Sequence, residues 1–131
     1  MQANRSVSGL ERRLRSALWR QGVRGYRLHP ALPGRPDLVF SASRLAVFVH
    51  GCFWHRCPRC ALRLPKANAA FWKLKFEQNL ARDGRASEAL RAEGWRVMVV
   101  WECDVRRNDS AVARRVARKA AGLRSTAGAV G

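Results

Sequence analysis

Apolar positions along the chain change period several times, and each change marks an element. In "SGLERRLRSALWRQG", Leu10, Leu14 and Leu18 recur on one helical face, Ser8 and Glu11 have the spacing of a capping box, and Gly22 is a stop. "YRLH" is a short candidate strand, and "PALPGRP" is a loop in which Pro36 fixes the backbone just ahead of Asp37. "DLVF" and "LAVFVHG" are apolar, β-branched and aromatic runs separated by "SASR", the pattern of two paired strands. "NAAFWKLKFEQNLARDGRASEALRAEG" then returns to a helical period, with Asn68 as a cap, Gly84 as a candidate kink and Gly94 as a stop. "WRVMVVWE" has no polar face and predicts a buried strand. "DSAVARRVARKAAG" predicts a basic helix over 109–122, and "LRSTAGAVG" a loose tail over 123–131.

Helix, strands, long helix, strand and helix in that order predict an α/β fold, a mixed sheet flanked by helices. No internal repeat is visible. With 131 residues the chain is expected to be one domain, its core spanning about 8–106. In open sheets, sites gather at strand ends. Asp37 opens one predicted strand, and Cys103 lies at the end of another.

Charge narrows the function. Lys and Arg number 26 against 9 Asp and Glu, for a net charge of +17. That excess points to a polyanion, nucleic acid first, although an Arg-rich solvated face produced by coding bias is the competing account. No apolar run approaches a membrane span, and the polar, helical start does not read as a signal peptide, so a reducing cytoplasm is expected.

In that setting cysteines favour metal or redox chemistry over disulfides. "HGCFWHRCPRC" holds Cys52, Cys57 and Cys60, and Cys103 follows the last predicted strand. A C-x-x-C turn supplies two thiolates to a tetrahedral zinc, and the other two cysteines complete the set; His55 is the alternative ligand. A thioredoxin-like redox pair would open a helix and would leave two cysteines unexplained. A closed four-thiolate zinc would be structural, holding Phe53, Trp54 and His55 rigid between its ligands.

The few acids are then informative. A carboxylate at a strand end, Asp37, suits Mg²⁺, and His50 and His55 can supply base and charge stabilisation for phosphodiester hydrolysis near neutral pH. Asn79 and Asp83 lie four apart on one helical face, with Trp72 seven earlier, so one face can present all three. The plainer readings are a capping role for Glu11, pairing of Asp83 with Arg82 or Arg85, and core packing for Trp72. His29, in "RLHP", has no chemical role on this reading.

"GRPDLVF", "VFVHGCFWH", "FWKLKFEQNLARD" and "GWRVMVVWEC" together resemble the very short patch repair (Vsr) endonucleases, bacterial enzymes that nick DNA beside a T:G mismatch. The resemblance runs from about Leu10 to Arg106. It implies a restriction-endonuclease-like fold with a structural zinc. It implies Mg²⁺ on Asp37 and the backbone carbonyl of Val49, His55 as general base, His50 at the scissile phosphate, and Glu11 and Asp83 in support. Phe53, Trp54 and Trp72 would form an aromatic wedge entering the stack at the mismatch, with Asn79 on the same DNA-facing surface.

The implied partner is mismatched double-stranded DNA, with other mismatch-repair proteins downstream. A monomer in the bacterial cytoplasm, at the nucleoid, is expected. In "RCPRC", which replaces a His-rich stretch of the family, Cys57 would take a histidine's role and Cys60 falls one residue late. Val49 stands where Thr is common, and the N-terminal arm "MQANRSVSG" is short. A related nicking enzyme with another DNA target, or a zinc-stabilised DNA-binding module without catalysis, are the alternatives. The last has no need for Asp37, His50 and His55 together.

Overall fold

A computed structural model describes the backbone of residues 2–130 and the side chains of residues 9–121. The chain runs α1 (Gln2–Arg20), β1 (Tyr26–Leu28), β2 (Leu38–Phe40), β3 (Leu45–His50), α2 (Ala69–Ala92), β4 (Arg96–Trp101), α3 (Glu102–Arg107) and α4 (Asp109–Val130). The four strands form a single sheet in the order β1-β2-β3-β4. The β1/β2 and β2/β3 pairs are antiparallel, and β3/β4 is parallel with α2 as its crossover. This mixed sheet flanked by helices is consistent with a restriction-endonuclease-like fold. Among the described residues, no helix is long and apolar enough to cross a membrane.

Side-chain alternation along β3 divides the interior. Leu45, Val47 and Val49 join Leu10, Leu14 and Leu18 of α1 and Val112 and Val116 of α4 in the larger core. Ala46 and Phe48 point the other way, toward Leu90 of α2 and Trp95. His50, next in that alternation, therefore falls on the α2 side. The β2/β3 hairpin brings Asp37, just ahead of β2, beside the end of β3, because Leu38 stands opposite Val47. His50 stands opposite Trp101, so β3 and β4 end together.

Several expectations are corrected. Helix α1 begins upstream of Ser8, since "QANRSV" contains no Pro or Gly to stop it, so Ser8 lies within the helix and not at its N-cap. Asn68 adopts a left-handed backbone (φ 57°, ψ 42°) before α2 and makes no side-chain cap. Gly84 neither kinks nor interrupts α2, which is continuous over Ala69–Ala92; a lone glycine costs a helix only about 1 kcal/mol. Strand β4 lies at the sheet edge and alternates between buried and half-buried positions. It ends at Trp101, and Glu102 and Cys103 open the short helix α3. The residues read as a loose tail continue α4 to Val130, in keeping with their Ala, Leu and Arg content and lack of proline.

Loop 29–37 reaches the site through Gly34. Its φ of 74° is left-handed, and a Cβ there would stand 2.5 Å from Ala86 Cβ on α2. This contact seats the segment carrying Asp37 directly on the helix carrying Asp83.

Candidate active site and metal centre

Four elements converge where β3 and β4 end. Asp37 is half-buried at the entry to β2, and its Oδ2 accepts a hydrogen bond from the Val49 amide at 2.6 Å. Burial raises the Asp37 pKa to about 6; the Val49 N–H opposes that rise and the nearby Glu11 carboxylate adds to it. A half-buried carboxylate short of positive charge, beside a second carboxylate, has the oxygen chemistry that a hard divalent cation requires. The Val49 peptide group lies alongside.

On the α2 side, His50 and His55 stack face to face, with ring centroids 3.8 Å apart and planes 8° from parallel. His55 Nδ1 lies 2.6 Å from Asp83 Oδ2. Asp83 therefore takes the imidazole rather than Arg82 or Arg85. Such a bond fixes the His55 tautomer and leaves Nε2 as the basic nitrogen. Burial lowers the His50 pKa to about 4; the His55 ring adds to the lowering and Asp83 opposes it. His50 is thus neutral at pH 7, stacked on the imidazole that Asp83 holds. Both rings line one cleft with Asp37, Asp83, Arg35 and Arg82.

Glu11, from α1, is 4% exposed, and its Oε1 lies 2.9 Å from His29 Nε2. Sequence reasoning left His29 without a role; its contact with a helix residue far upstream has no signature in spacing.

The helical face shared by Trp72, Asn79 and Asp83 is real, and it is turned to the loop after β3. Asn79 is buried, 7% exposed, and its Nδ2 donates to the Trp54 carbonyl at 3.2 Å, supporting the loop from below. Trp72 packs edge-on to Phe53 and Trp54, with centroids 5.6 and 5.5 Å apart, and the three half-buried rings continue into buried Phe76.

The four cysteine sulfurs all lie within 4.8 Å of one another, and Cys57 Sγ is 3.9 Å from Cys103 Sγ. Two thiolates bound at about 2.3 Å in a tetrahedron stand about 3.8 Å apart, so the cluster fits a four-sulfur metal site. All four are free thiols. Burial acts to raise the Cys57 pKa, but the backbone N–H groups of Cys60 and Arg59 outweigh it and bring the thiol to about 7, ready to ionise. Burial pushes Cys52 up instead.

Two contacts outside the sequence reading brace this centre. Glu102 Oε1 accepts the Cys52 amide at 3.0 Å, and Arg59 grips Asp104 with its two nitrogens at 3.1 and 2.6 Å. The adjacency of Glu102 to Cys103 was the available signal for the first; nothing marked the second.

Residues 1–61 match the family model for DNA mismatch endonuclease Vsr. A type II nicking enzyme, V.XorIIP of Xanthomonas oryzae pv. oryzae, is 51% identical over 96 residues, covering 72% of this chain and 70% of that protein. DNA mismatch endonuclease Vsr of Escherichia coli is 42% identical over 100 residues, 76% of this chain and 64% of its own. The type II nicking enzyme V.NaeI of Lentzea aerocolonigenes is 44% identical over 108 residues, 78% of this chain and 64% of its own. The matched region spans about two thirds of these relatives' lengths, and the chain belongs to the Vsr family of DNA endonucleases.

Proposed function

We propose that this chain nicks one strand of duplex DNA at T:G mismatches, with Mg²⁺ at Asp37 and the Val49 carbonyl and a structural Zn²⁺ on Cys52, Cys57, Cys60 and Cys103. The observation that carries the reading is the His55–Asp83 pair at 2.6 Å, stacked on His50 in the cleft that holds Asp37. A protein that only binds DNA gains nothing from a carboxylate-oriented imidazole beside an electron-rich carboxylate.

When bound, Mg²⁺ supplies positive charge at the scissile phosphate and makes a coordinated water more acidic. His55 takes the proton of the attacking water at Nε2, and Asp83 stabilises the resulting imidazolium through Nδ1. His50, neutral at working pH, donates one hydrogen bond to the phosphate without adding a charge that would oppose protonation of His55. Glu11 adds a second carboxylate on the Asp37 side of the cleft. Phe53, Trp54 and Trp72 press into the base stack, where separation costs least at a weak pair, and Asn79 keeps Trp54 in place. The net charge of +17 supplies sequence-independent affinity. The enzyme acts as a monomer in the bacterial cytoplasm, at the nucleoid, leaving the nick to other repair proteins.

The test is a Mg²⁺ nicking assay on otherwise identical T:G and T:A duplexes, with the cut position mapped. Cutting confined to the T:G duplex supports the reading; equal cutting of both favours a nicking enzyme with another target. Asp37→Ala and His55→Ala should each abolish cutting while leaving DNA binding, and normal cutting by both would remove the mechanism.

A further inference from the structure

We infer that His29 is an additional ligand of the divalent ion at Asp37, so that Glu11, His29 and Asp37 together accept a transition ion such as Mn²⁺ as well as Mg²⁺. The inference rests on the reading of Asp37 as the metal carboxylate. The three residues come from α1, the end of β1 and the entry to β2, and each offers a donor atom within 4.8 Å of the others.

His29 Nε2 and Glu11 Oε1 are 2.9 Å apart. Two donors on one octahedral ion at about 2.1 Å stand about 3 Å apart when they are neighbours, so one ion can take both with small adjustment. The Glu11 carboxylate cannot turn away to water, being 4% exposed. Its Oε2 makes no hydrogen bond among the described residues; it meets Arg15 Nε at 2.5 Å as a charge contact alone. Oε1 is therefore held toward His29.

The backbone prepares the third donor. His29 has φ 46°, a left-handed conformation that a side-chain-bearing residue seldom adopts, and its amide donates to the Asp37 carbonyl at 3.1 Å. That hydrogen bond couples the two donors through the main chain, and the imidazole, 57% exposed, remains open to an ion arriving from solvent. Mg²⁺ favours oxygen and dehydrates reluctantly, whereas Mn²⁺ and the later transition ions accept imidazole nitrogen readily. A histidine beside two carboxylates therefore adds affinity for Mn²⁺ that it does not add for Mg²⁺.

The experiment uses the full chain with its cysteine site already loaded with zinc. Mn²⁺ and Mg²⁺ affinities are measured for the parent, His29→Ala and Asp37→Asn, with thermal melts to confirm folding. Pulsed electron paramagnetic resonance of bound Mn²⁺ reports nitrogen coordination directly. The parent should show imidazole nitrogen coupling, and so should a His50→Ala/His55→Ala variant. His29→Ala should lose the coupling and weaken Mn²⁺ by about tenfold or more, with Mg²⁺ changed less than about twofold. Asp37→Asn should lose both ions. Nitrogen coupling retained in His29→Ala, or unchanged Mn²⁺ affinity there while Asp37→Asn loses it, overturns the inference and leaves the reading of Asp37 standing. Unchanged binding by Asp37→Asn overturns both.

Discussion

Gly34 offers a perturbation whose cost separates into two parts. Gly34→Ala places a Cβ 2.5 Å from Ala86 Cβ and 3.4 Å from the Phe48 ring. Carbon contacts settle at about 3.5–4.0 Å, so the loop must retreat from α2 by about 1 Å. Neither neighbour yields easily, since Ala86 is fixed to a helix and Phe48 to the central sheet. Overpacking of this kind costs about 1–3 kcal/mol. The left-handed φ of 74° adds about 1–2 kcal/mol for any residue with a Cβ. Together they predict a loss of about 2–5 kcal/mol in urea unfolding. A second change isolates the steric part. Ala86→Gly removes the opposing methyl at a cost of about 1 kcal/mol to the helix, and the double variant should recover about 1–3 kcal/mol through coupling. Nicking should fall further than stability explains, because a shift of about 1 Å in a positioning group can cost about a hundredfold in rate. A Gly34→Ala variant within about 0.5 kcal/mol of the parent, or a double variant that recovers nothing, would refute the seating of this loop on α2.

Three other outcomes are expected. Asp83→Asn removes the charge that stabilises protonated His55; a charge-assisted hydrogen bond contributes about 1.5–3 kcal/mol, so single-turnover nicking should slow by about ten- to a hundredfold with DNA affinity retained, and an unchanged rate would exclude the pair from catalysis. Elemental analysis should find one zinc per chain, and Cys57→Ser/Cys60→Ser should lose the metal and melt at lower temperature; a metal-free double variant with the parent's melting curve removes the structural zinc. In metal-free protein the raised Asp37 pKa, about 6 against 3.8, means that this group's stabilising contribution is complete below pH 3.8 and is lost as pH rises through 6. Asp37→Asn keeps an acceptor for the Val49 amide without the charge, so it should be more stable than the parent at pH 8, with the difference shrinking by pH 4. A gain equal at both pH values would mean that Asp37 is not penalised by burial.

Much of this site was legible because local rules and tertiary demands coincide. The runs "DLVF" and "LAVFVHG" predicted the pair of strands that brings Asp37 near His50, and Pro36 marked where Asp37 enters its strand. The cysteine spacing pointed to one cluster, which the structure closes through Cys103. What remained hidden depends on contacts between distant segments. Nothing in "RLHP" says that His29 meets Glu11, and a helical wheel that groups Asn79 with Asp83 cannot say that one side chain is buried under Trp54 while the other reaches His55. Element ends were missed where sequence is permissive. "WECDVRR" continues a strand pattern until α3 turns it, and a tail rich in Ala and Arg extends a helix as readily as it leaves one.

The end-to-end pairing of His50 with Trp101, followed at once by Glu102 and Cys103, has a bearing on synthesis. A ribosome making this protein finishes Asp37, His50, His55 and Asp83 well before it reaches the segment that locks their loop. Until Glu102 can hold the Cys52 amide and Cys103 can join the other three sulfurs, the loop that carries His55 lacks both of these ties. On the proposed mechanism, a copy terminated before Glu102 is expected to bind nucleic acid without cleaving it, because both ties to the loop are missing.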